Sequence, residues 1–331
     1  MSEDSGGAAA KRAGGDTAAE DCRGKAREKL DGWGFRGEAF RDEKFLRLVG
    51  ILDSLGRVLV AYSGGADSAL LLKVARGVLG ESAEGVLATS ESLDQHELLL
   101  ARQTAEAMGV PITIVETREY QNPEYRKNDA NRCYHCKTEL FTVLRKHAAE
   151  NGIPHVLDGS NADDCDDYRP GLRARNEQGV RSPLLEAGLT KAEVRAFSHA
   201  LGLPTWDKPA APCLSSRIPY GTAVTDQKLR QVEAAEEGLR ACGFRVVRVR
   251  HHGQVGRIEV PAAEFPRLLD PPTASRVIAA VKAAGFLFVA LDIEGFRSGS
   301  LNAALSPSER SGAAGMVPVE TVVRLQGGAS R

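Results

Sequence analysis

RVLVAYSGGADSALLLKVARGVLG, residues 57–80, is the stretch on which the fold turns. Val58 to Ala61 are a short apolar run of strand length, Ser63-Gly64-Gly65 break it, and Ala69 to Val78 carry apolar side chains at helical spacing. The same alternation continues downstream. GVLATS (85–90) reads as a strand, 94–108 as a helix ended by Gly109, PITIVE (111–116) as a strand, 136–150 as a helix ended by Gly152, and HVLDGSN (155–161) as a strand running into a polar turn. Short apolar strands alternating with helices predict an α/β fold with a doubly wound parallel sheet. Such sheets bind ligands at the carboxyl ends of their strands, so the Ser63 turn, Ser90 and the Asp158-Gly159 turn are expected on one rim.

The turn itself has a chemistry. Ser63, Gly64, Gly65, Asp67 and Ser68 put hydroxyls and backbone N–H groups at a helix N-terminus, where a phosphate is favoured. The GxxxxGK[ST] spacing and its lysine are missing, so this is not a Walker A loop. A ligand-free capping turn is the competing reading. Asp67-Ser68 in register after the glycines favours nucleotide, and Asp67 is the candidate carboxylate for Mg²⁺ beside the phosphates. Ser-Gly-Gly-x-Asp-Ser resembles the PP-loop of the ATP pyrophosphatase superfamily, which implies cleavage of ATP between its α and β phosphates and adenylation of a substrate.

Three cysteines form the second constellation. NRCYHCK (131–137) sets Cys133 and Cys136 at i and i+3, facing one way on a helix start, but zinc wants four ligands and no second CxxC exists. Cys213 sits in KPAAPCLSSRIPYGT (208–222), a stiff proline-flanked loop, with Arg217 near enough in sequence to favour a thiolate. Cys213 can be a nucleophile, a packed side chain or a third ligand. Three thiolates with one open iron site would suit a [4Fe–4S] cluster. The alternatives for Cys133 and Cys136 are packing, or a zinc site completed by histidine and water. Cys22, Cys165 and Cys242 read as structural or incidental.

Around these motifs the remaining chain falls into parts. Residues 1–40 read as a disordered leader, with a weak helix near 38–54. Residues 41–221 make the nucleotide-binding and catalytic domain, which includes LTKAEVRAFSHALGLP (189–204), a helix opened by a Thr190–Glu193 capping box. Residues 222–298 make a smaller α+β domain, with helices near 225–241 and 274–284 and two or three strands, and 299–331 are a loose tail. In FRVVRVRHH (244–252) the strand period of two puts Arg248 and Arg250 on one face, where they can grip a phosphate.

Totals bound the reading. The chain has 331 residues, 42% hydrophobic and 26% charged, and no apolar run long enough for a membrane span. The acid-bearing first 40 residues have no apolar signal core, which predicts a cytoplasmic protein. A formal net charge of −1 argues against an extended nucleic-acid surface, and six cysteines are too few for a disulfide scaffold.

From about 45 to 300 the chain resembles the LarE family of ATP-dependent sulfur transferases. The likeness rests on VAYSGGADSALLL, NRCYHCKTELF, LDGSNADDCDDYRPG, SPLLEAGLTKAEVR, LGLPTWDKPAAPCLSSRIPYGT and RVRHHGQVGRIEV. The resemblance implies maturation of the nickel-pincer nucleotide cofactor of lactate racemase and related enzymes. ATP would adenylate a carboxylate of pyridinium-3,5-biscarboxylic acid mononucleotide, and sulfur would then be installed with release of AMP and pyrophosphate. In one branch the loop cysteine gives up its own sulfur; in the other, three cysteines hold a [4Fe–4S] cluster that carries hydrosulfide from a sulfide source. Cys133, Cys136 and Cys213 match the second pattern, with Ser216 and Arg217 expected to orient the carboxylate or the leaving AMP. The resemblance also implies Glu259 and Glu236 or Glu237 as partners of Arg248 and Arg250, and a homo-oligomer, commonly a hexamer. A tRNA-thiolating PP-loop enzyme and a non-catalytic nucleotide-binding regulator are the competing functions.

Overall fold

The computed structural model describes Gly32 and residues 37–166, 171–297 and 299–306. Apart from Gly32, 37–40 and 299–306, the expected leader (1–40) and tail (299–331) lie outside the described residues. Eleven helices and seven strands follow one another there, besides short 3₁₀ turns. They run α1 (Glu43–Leu55), β1 (Val58–Ala61), α2 (Ala66–Leu79), β2 (Ala83–Thr89), α3 (Gln95–Ala107), β3 (Ile112–Glu116), α4 (Pro123–Lys127), α5 (Arg132–Glu150) and β4 (His155–Leu157). Then come α6 (Gly171–Glu177), α7 (Pro183–Glu186), α8 (Lys191–Ala200), α9 (Asp226–Ala241), β5 (Arg248–His252), β6 (Val255–Glu259), α10 (Phe265–Leu269), α11 (Pro271–Ala283) and β7 (Phe288–Leu291).

The first sheet has the order β3-β2-β1-β4, and every pairing is parallel. Both faces of β1 are covered, as parallel strands require. Val58 and Val60 pack into a core with α1, α2 and α8, while Leu59 faces Phe141, Leu144 and Ala148 of α5 on the other side. This is the α/β, doubly wound arrangement that the alternating pattern predicts. The helix expected to be weak near 38–54 is a core helix: Asp42 caps α1 by accepting from the N–H groups of Lys44 and Phe45, and Phe45, Leu48, Val49 and Leu52 are fully buried. The capping box at Thr190 has both of its reciprocal bonds. The helix expected over 136–150 starts a turn earlier, at Arg132, so Cys133 and Cys136 sit on its first two turns.

Strand order reverses at β1. The chain winds outward through β2 and β3, then returns to place β4 on the other side, which opens a crevice between the ends of β1 and β4. Two glycines let the turns there come close. Gly64 has φ of 72°, and a Cβ on it would lie 2.4 Å from the Ala101 Cβ. A Cβ on Gly159, after β4, would lie 2.9 Å from the Ser68 nitrogen.

The second sheet runs β5-β6-β7, antiparallel then parallel. Leu229, Val232 and Leu239 of α9 and Val277 and Val281 of α11 pack on it. This core does not stop at residue 222. Tyr125, Leu214 and Ile218 belong to it, so the cysteine loop is built partly into the smaller unit. Among the described residues no helix is long and apolar enough to cross a membrane.

Two glycines in helical or turn backbone should answer oppositely to alanine. Gly64→Ala combines a left-handed backbone with overpacking and is expected to cost about 2–4 kcal/mol. Gly50→Ala, exposed on α1 with open space around it, should stabilise by about 0.5–1 kcal/mol. Urea unfolding midpoints of the two variants check both signs.

Candidate functional site

At the β1 crevice Gly65 caps α2 without a side-chain bond, which leaves the first N–H groups of the helix for solvent or a ligand. The Ser63 N–H and Oγ both meet the Ser68 Oγ, at 3.1 and 3.0 Å, and Ser68 Oγ reaches the Gly65 carbonyl at 3.2 Å. Asp67 is held on both oxygens. Asn161 Nδ2, from the turn after β4, donates to Oδ1 at 3.0 Å, and the Lys191 ammonium, at the start of α8, pairs with Oδ2. The residues fit a divalent cation: Oδ2 already faces a cation beside the turn, and Mg²⁺ typically takes one or two carboxylates with phosphate oxygens.

Ser90 lies at the end of β2, but its hydroxyl does not turn to the phosphate loop. It donates to Glu119 Oε1 at 2.6 Å, and Ser92 Oγ donates to the same oxygen at 2.9 Å. A buried carboxylate is the strongest acceptor within reach, and it captures both hydroxyls. Lys208 instead supplies the contact from the far side: its Nζ donates to the Gly64 carbonyl at 3.0 Å and pairs with Glu97 at 2.9 Å. Lys208 begins the loop that carries Cys213, so one side chain joins the two motifs.

The loop is fixed by arginines acting on its carbonyl groups. Arg217 Nη1 donates to the Pro212 and Cys213 carbonyls and to Ser216 Oγ, while Nε and Nη2 form a two-pronged pair with Glu236 at 2.8 and 2.9 Å. Both partners are buried, at 3% and 1% side-chain exposure. Burial would raise the Glu236 carboxyl, but the Arg217 guanidinium outweighs it and holds it below the ordinary glutamate range. Arg217, expected to orient substrate, is thus occupied in fixing the loop. Arg248 and Arg250 do share a face. Arg248 donates to the Ala210 carbonyl at 2.6 Å, and Arg250 to the Ser216 carbonyl at 2.7 Å and to Glu259 at 2.8 Å. Burial, then the neighbouring Arg217, lowers the Arg248 guanidinium to about 10, so it stays a cation at neutral pH. Of the expected acidic partners, Glu259 pairs with Arg250, while Glu236 pairs with Arg217 and Arg240 instead.

A buried arginine with no sequence signal of its own joins the start of α5 to the cysteine loop. Arg132 donates to Asn128 Oδ1 at 2.6 Å and the Ser215 carbonyl at 2.7 Å, and its Nη2 lies 3.8 Å from Cys133 Sγ. Burial by itself would lower the guanidinium; the charges of Cys133 and Cys213 overcome this, and the net direction is up. Burial pushes the Cys136 thiol well up, with Glu119, Cys213 and Cys133 adding to it. Tyr125 is raised by burial and then by Cys213 and Cys136, and its hydroxyl meets Ser215 Oγ at 2.6 Å. Cys133, Cys136 and Cys213 are free thiols with part of their surface accessible. Among the described residues no three His, Cys, Asp or Glu side chains close on a single metal ion. Three free thiols are the donor type that an iron–sulfur cluster takes. Cys242 ends α9 against the second core, away from these contacts, and Cys22 and the Cys165 side chain lie outside what is described.

A cavity of about 670 Å³ opens between α3, the Pro204–Ala211 segment and β5. Lys208, Arg217, Arg240 and Arg248 line it, together with Pro209, Ala210 and Ala211 of the cysteine loop. Sequence reasoning missed Lys191, Lys208, Arg132 and Glu119. A lysine two residues before the Glu of a capping box was the one local signal for any of them.

Comparisons with known proteins cover about three quarters or more of the chain. The chain is 45% identical over 265 residues to an uncharacterised protein of Synechocystis sp., covering 80% of this chain and 99% of that one. It is 42% identical over 264 residues to the pyridinium-3,5-bisthiocarboxylic acid mononucleotide synthase of Lactiplantibacillus plantarum, covering 79% and 95%. An uncharacterised protein of Methanocaldococcus jannaschii is 27% identical over 244 residues, covering 73% and 91%. No protein-family model matches the chain.

Removing the Glu236 charge is expected to leave Arg217 buried and unpaired, at a cost of about 3–5 kcal/mol for Glu236→Gln. Because the folded carboxyl is depressed, its contribution is present above the ordinary value of 4.5 and is lost as pH falls through the lower folded value. Urea unfolding of both proteins across acid pH should therefore show the gap constant above 4.5 and narrowing as pH falls from there through the lower folded value.

Proposed function

Because the chain belongs to the LarE family, represented by the pyridinium-3,5-bisthiocarboxylic acid mononucleotide synthase of Lactiplantibacillus plantarum, we propose that it is an enzyme making a thiocarboxylate on the same pyridinium mononucleotide at the expense of ATP. The observation that carries this reading is that Arg132, 3.8 Å from Cys133 Sγ, also donates to the Ser215 carbonyl of the Cys213 loop, which Lys208 joins to the Ser63-Gly64-Gly65 turn. A carboxylate must first become a good electrophile and then meet sulfur, so the two sites have to adjoin.

In this reading the α2 N-terminus, with Ser63, Gly64, Gly65 and Ser68, binds the phosphates of ATP, and Asp67 takes Mg²⁺. The substrate carboxylate attacks the α phosphorus, forming an acyl-adenylate and releasing pyrophosphate. Hydrosulfide then attacks the acyl carbon and AMP leaves. Arg217 holds the Pro212 and Cys213 carbonyls, which fixes the position of the thiol, and Ser216 faces the adenylate. Arg248, with Arg250 behind it, receives the mononucleotide phosphate from the cavity. Cys133, Cys136 and Cys213 would hold a [4Fe–4S] cluster, whose open iron supplies the sulfide. Arg132 places a buried positive charge 3.8 Å from Cys133 Sγ.

Anaerobic purification tests the sulfur source. The expected protein is brown, carries about four iron and four sulfide per chain, and keeps its mass after turnover. Cys133→Ser with Cys136→Ser should lose the iron and the thiocarboxylate product but still release pyrophosphate when the mononucleotide is added. A colourless wild-type protein that becomes lighter by one H₂S at Cys213 would replace the cluster by a sacrificial cysteine. Retention of bulk tRNA that falls steeply with salt would point to tRNA thiolation instead.

A further inference from the structure

Asp67 and Lys191 come from opposite sides of the β1–β4 crevice, and their pairing is built rather than incidental. Asn161, buried at 3% exposure, fixes Asp67 Oδ1. The turn that carries Asn161 is stitched to the start of α8 by two bonds, the Ala162 N–H to the Leu189 carbonyl at 2.8 Å and the Lys191 N–H to Asp163 Oδ2 at 2.9 Å, and is closed on itself by the Asn161 N–H to Asp164 Oδ2 at 3.0 Å. The Lys191 backbone is therefore anchored, and its side chain spans to Asp67 Oδ2. The two carboxylate oxygens differ. Oδ1 has a rigid amide donor, whereas Oδ2 has a flexible ammonium, and the pair is open to water at 37% and 23% side-chain exposure. Only the ammonium can leave without disturbing the fold.

We propose that Lys191 is a placeholder for the divalent cation: it neutralises Asp67 while the site has no nucleotide, yields Oδ2 to the metal that arrives with the phosphates, and then pairs with a phosphate oxygen. This rests on the nucleotide reading of the Ser63 turn for its second half only. The first half, competition between an ammonium and a metal for one oxygen, stands on the ion pair itself. The exchange keeps Asp67 paired with a cation throughout, so no state leaves a bare carboxylate facing phosphate. Lys191 is a positioning residue, since it acts through Asp67 and the metal.

Mn²⁺ is the probe, with the free ion read from its electron paramagnetic resonance signal. Without nucleotide, K191M is expected to bind Mn²⁺ at least about tenfold more tightly than wild type, because the competing charge is gone. K191R should behave as wild type, and D67N should abolish the gain in the K191M background. With ATP added, wild type should bind Mn²⁺ more tightly than without it, and K191M should bind ATP about tenfold more weakly than wild type. Circular dichroism establishes folding, with K191Q measured in place of K191M if the methionine variant does not fold. Equal Mn²⁺ affinity in wild type and the neutral variant, or a gain that survives D67N, overturns the proposal even if ATP binds normally. Should wild type bind no ATP while the neutral variant gains Mn²⁺, the competition at Asp67 stands and the nucleotide reading falls.

Discussion

Arg217 and Glu236 meet through two hydrogen bonds in surroundings that leave 3% and 1% of their side chains exposed. Two charges are withdrawn from water there, and the geometry has to compensate for it on every remaining donor and acceptor. It does so by recruiting the cysteine loop. The outer Nη1 of Arg217 takes the carbonyls of Pro212 and Cys213, and Glu236 Oε1 also accepts the Val249 N–H of β5. The strand anchored in this way turns Arg248 and Arg250 toward the Ala210 and Ser216 carbonyls. A loop rich in proline lacks donors of its own, so it is held almost entirely through its acceptors.

That clamp explains why the two units cannot be read as separate modules. Leu214 and Ile218 bury themselves in the core of the second sheet, while Lys208 at the other end of the loop reaches the glycine turn of the first. A movement at the turn is carried to the thiol through one lysine and a few peptide units. For a reaction in which an activated carboxylate must be met by sulfur before water reaches it, that proximity matters more than the strength of either site alone.

Charge around the cysteines is left unresolved by the protein itself. Cys136 is pushed toward its neutral thiol by burial, by Glu119 and by the other two cysteines, while the buried Arg132 lies 3.8 Å from Cys133 Sγ. Glu119 keeps one oxygen, Oε2, buried without a partner. Sites that break the rule of satisfied buried polar groups are where function is expected, since stability alone would remove them.

Short-range physics made much of this legible in the sequence. Strand and helix periods predict the parallel sheet, the spacing of Cys133 and Cys136 sets both thiols at the start of α5, and the period of two puts Arg248 and Arg250 on one face of β5. Side-chain partners were another matter. Nothing local to Arg217 points to its pairing with Glu236, nothing local to Ser90 on the expected rim points to its bond with Glu119, and Lys191, Lys208 and Arg132 carry too little local signal to be singled out. Local patterns follow from the geometry of neighbouring residues along the chain, so the sequence by itself determined the elements and their faces. Which charges meet depends on how distant segments pack and on the loss of water between them, and only the tertiary structure decided that.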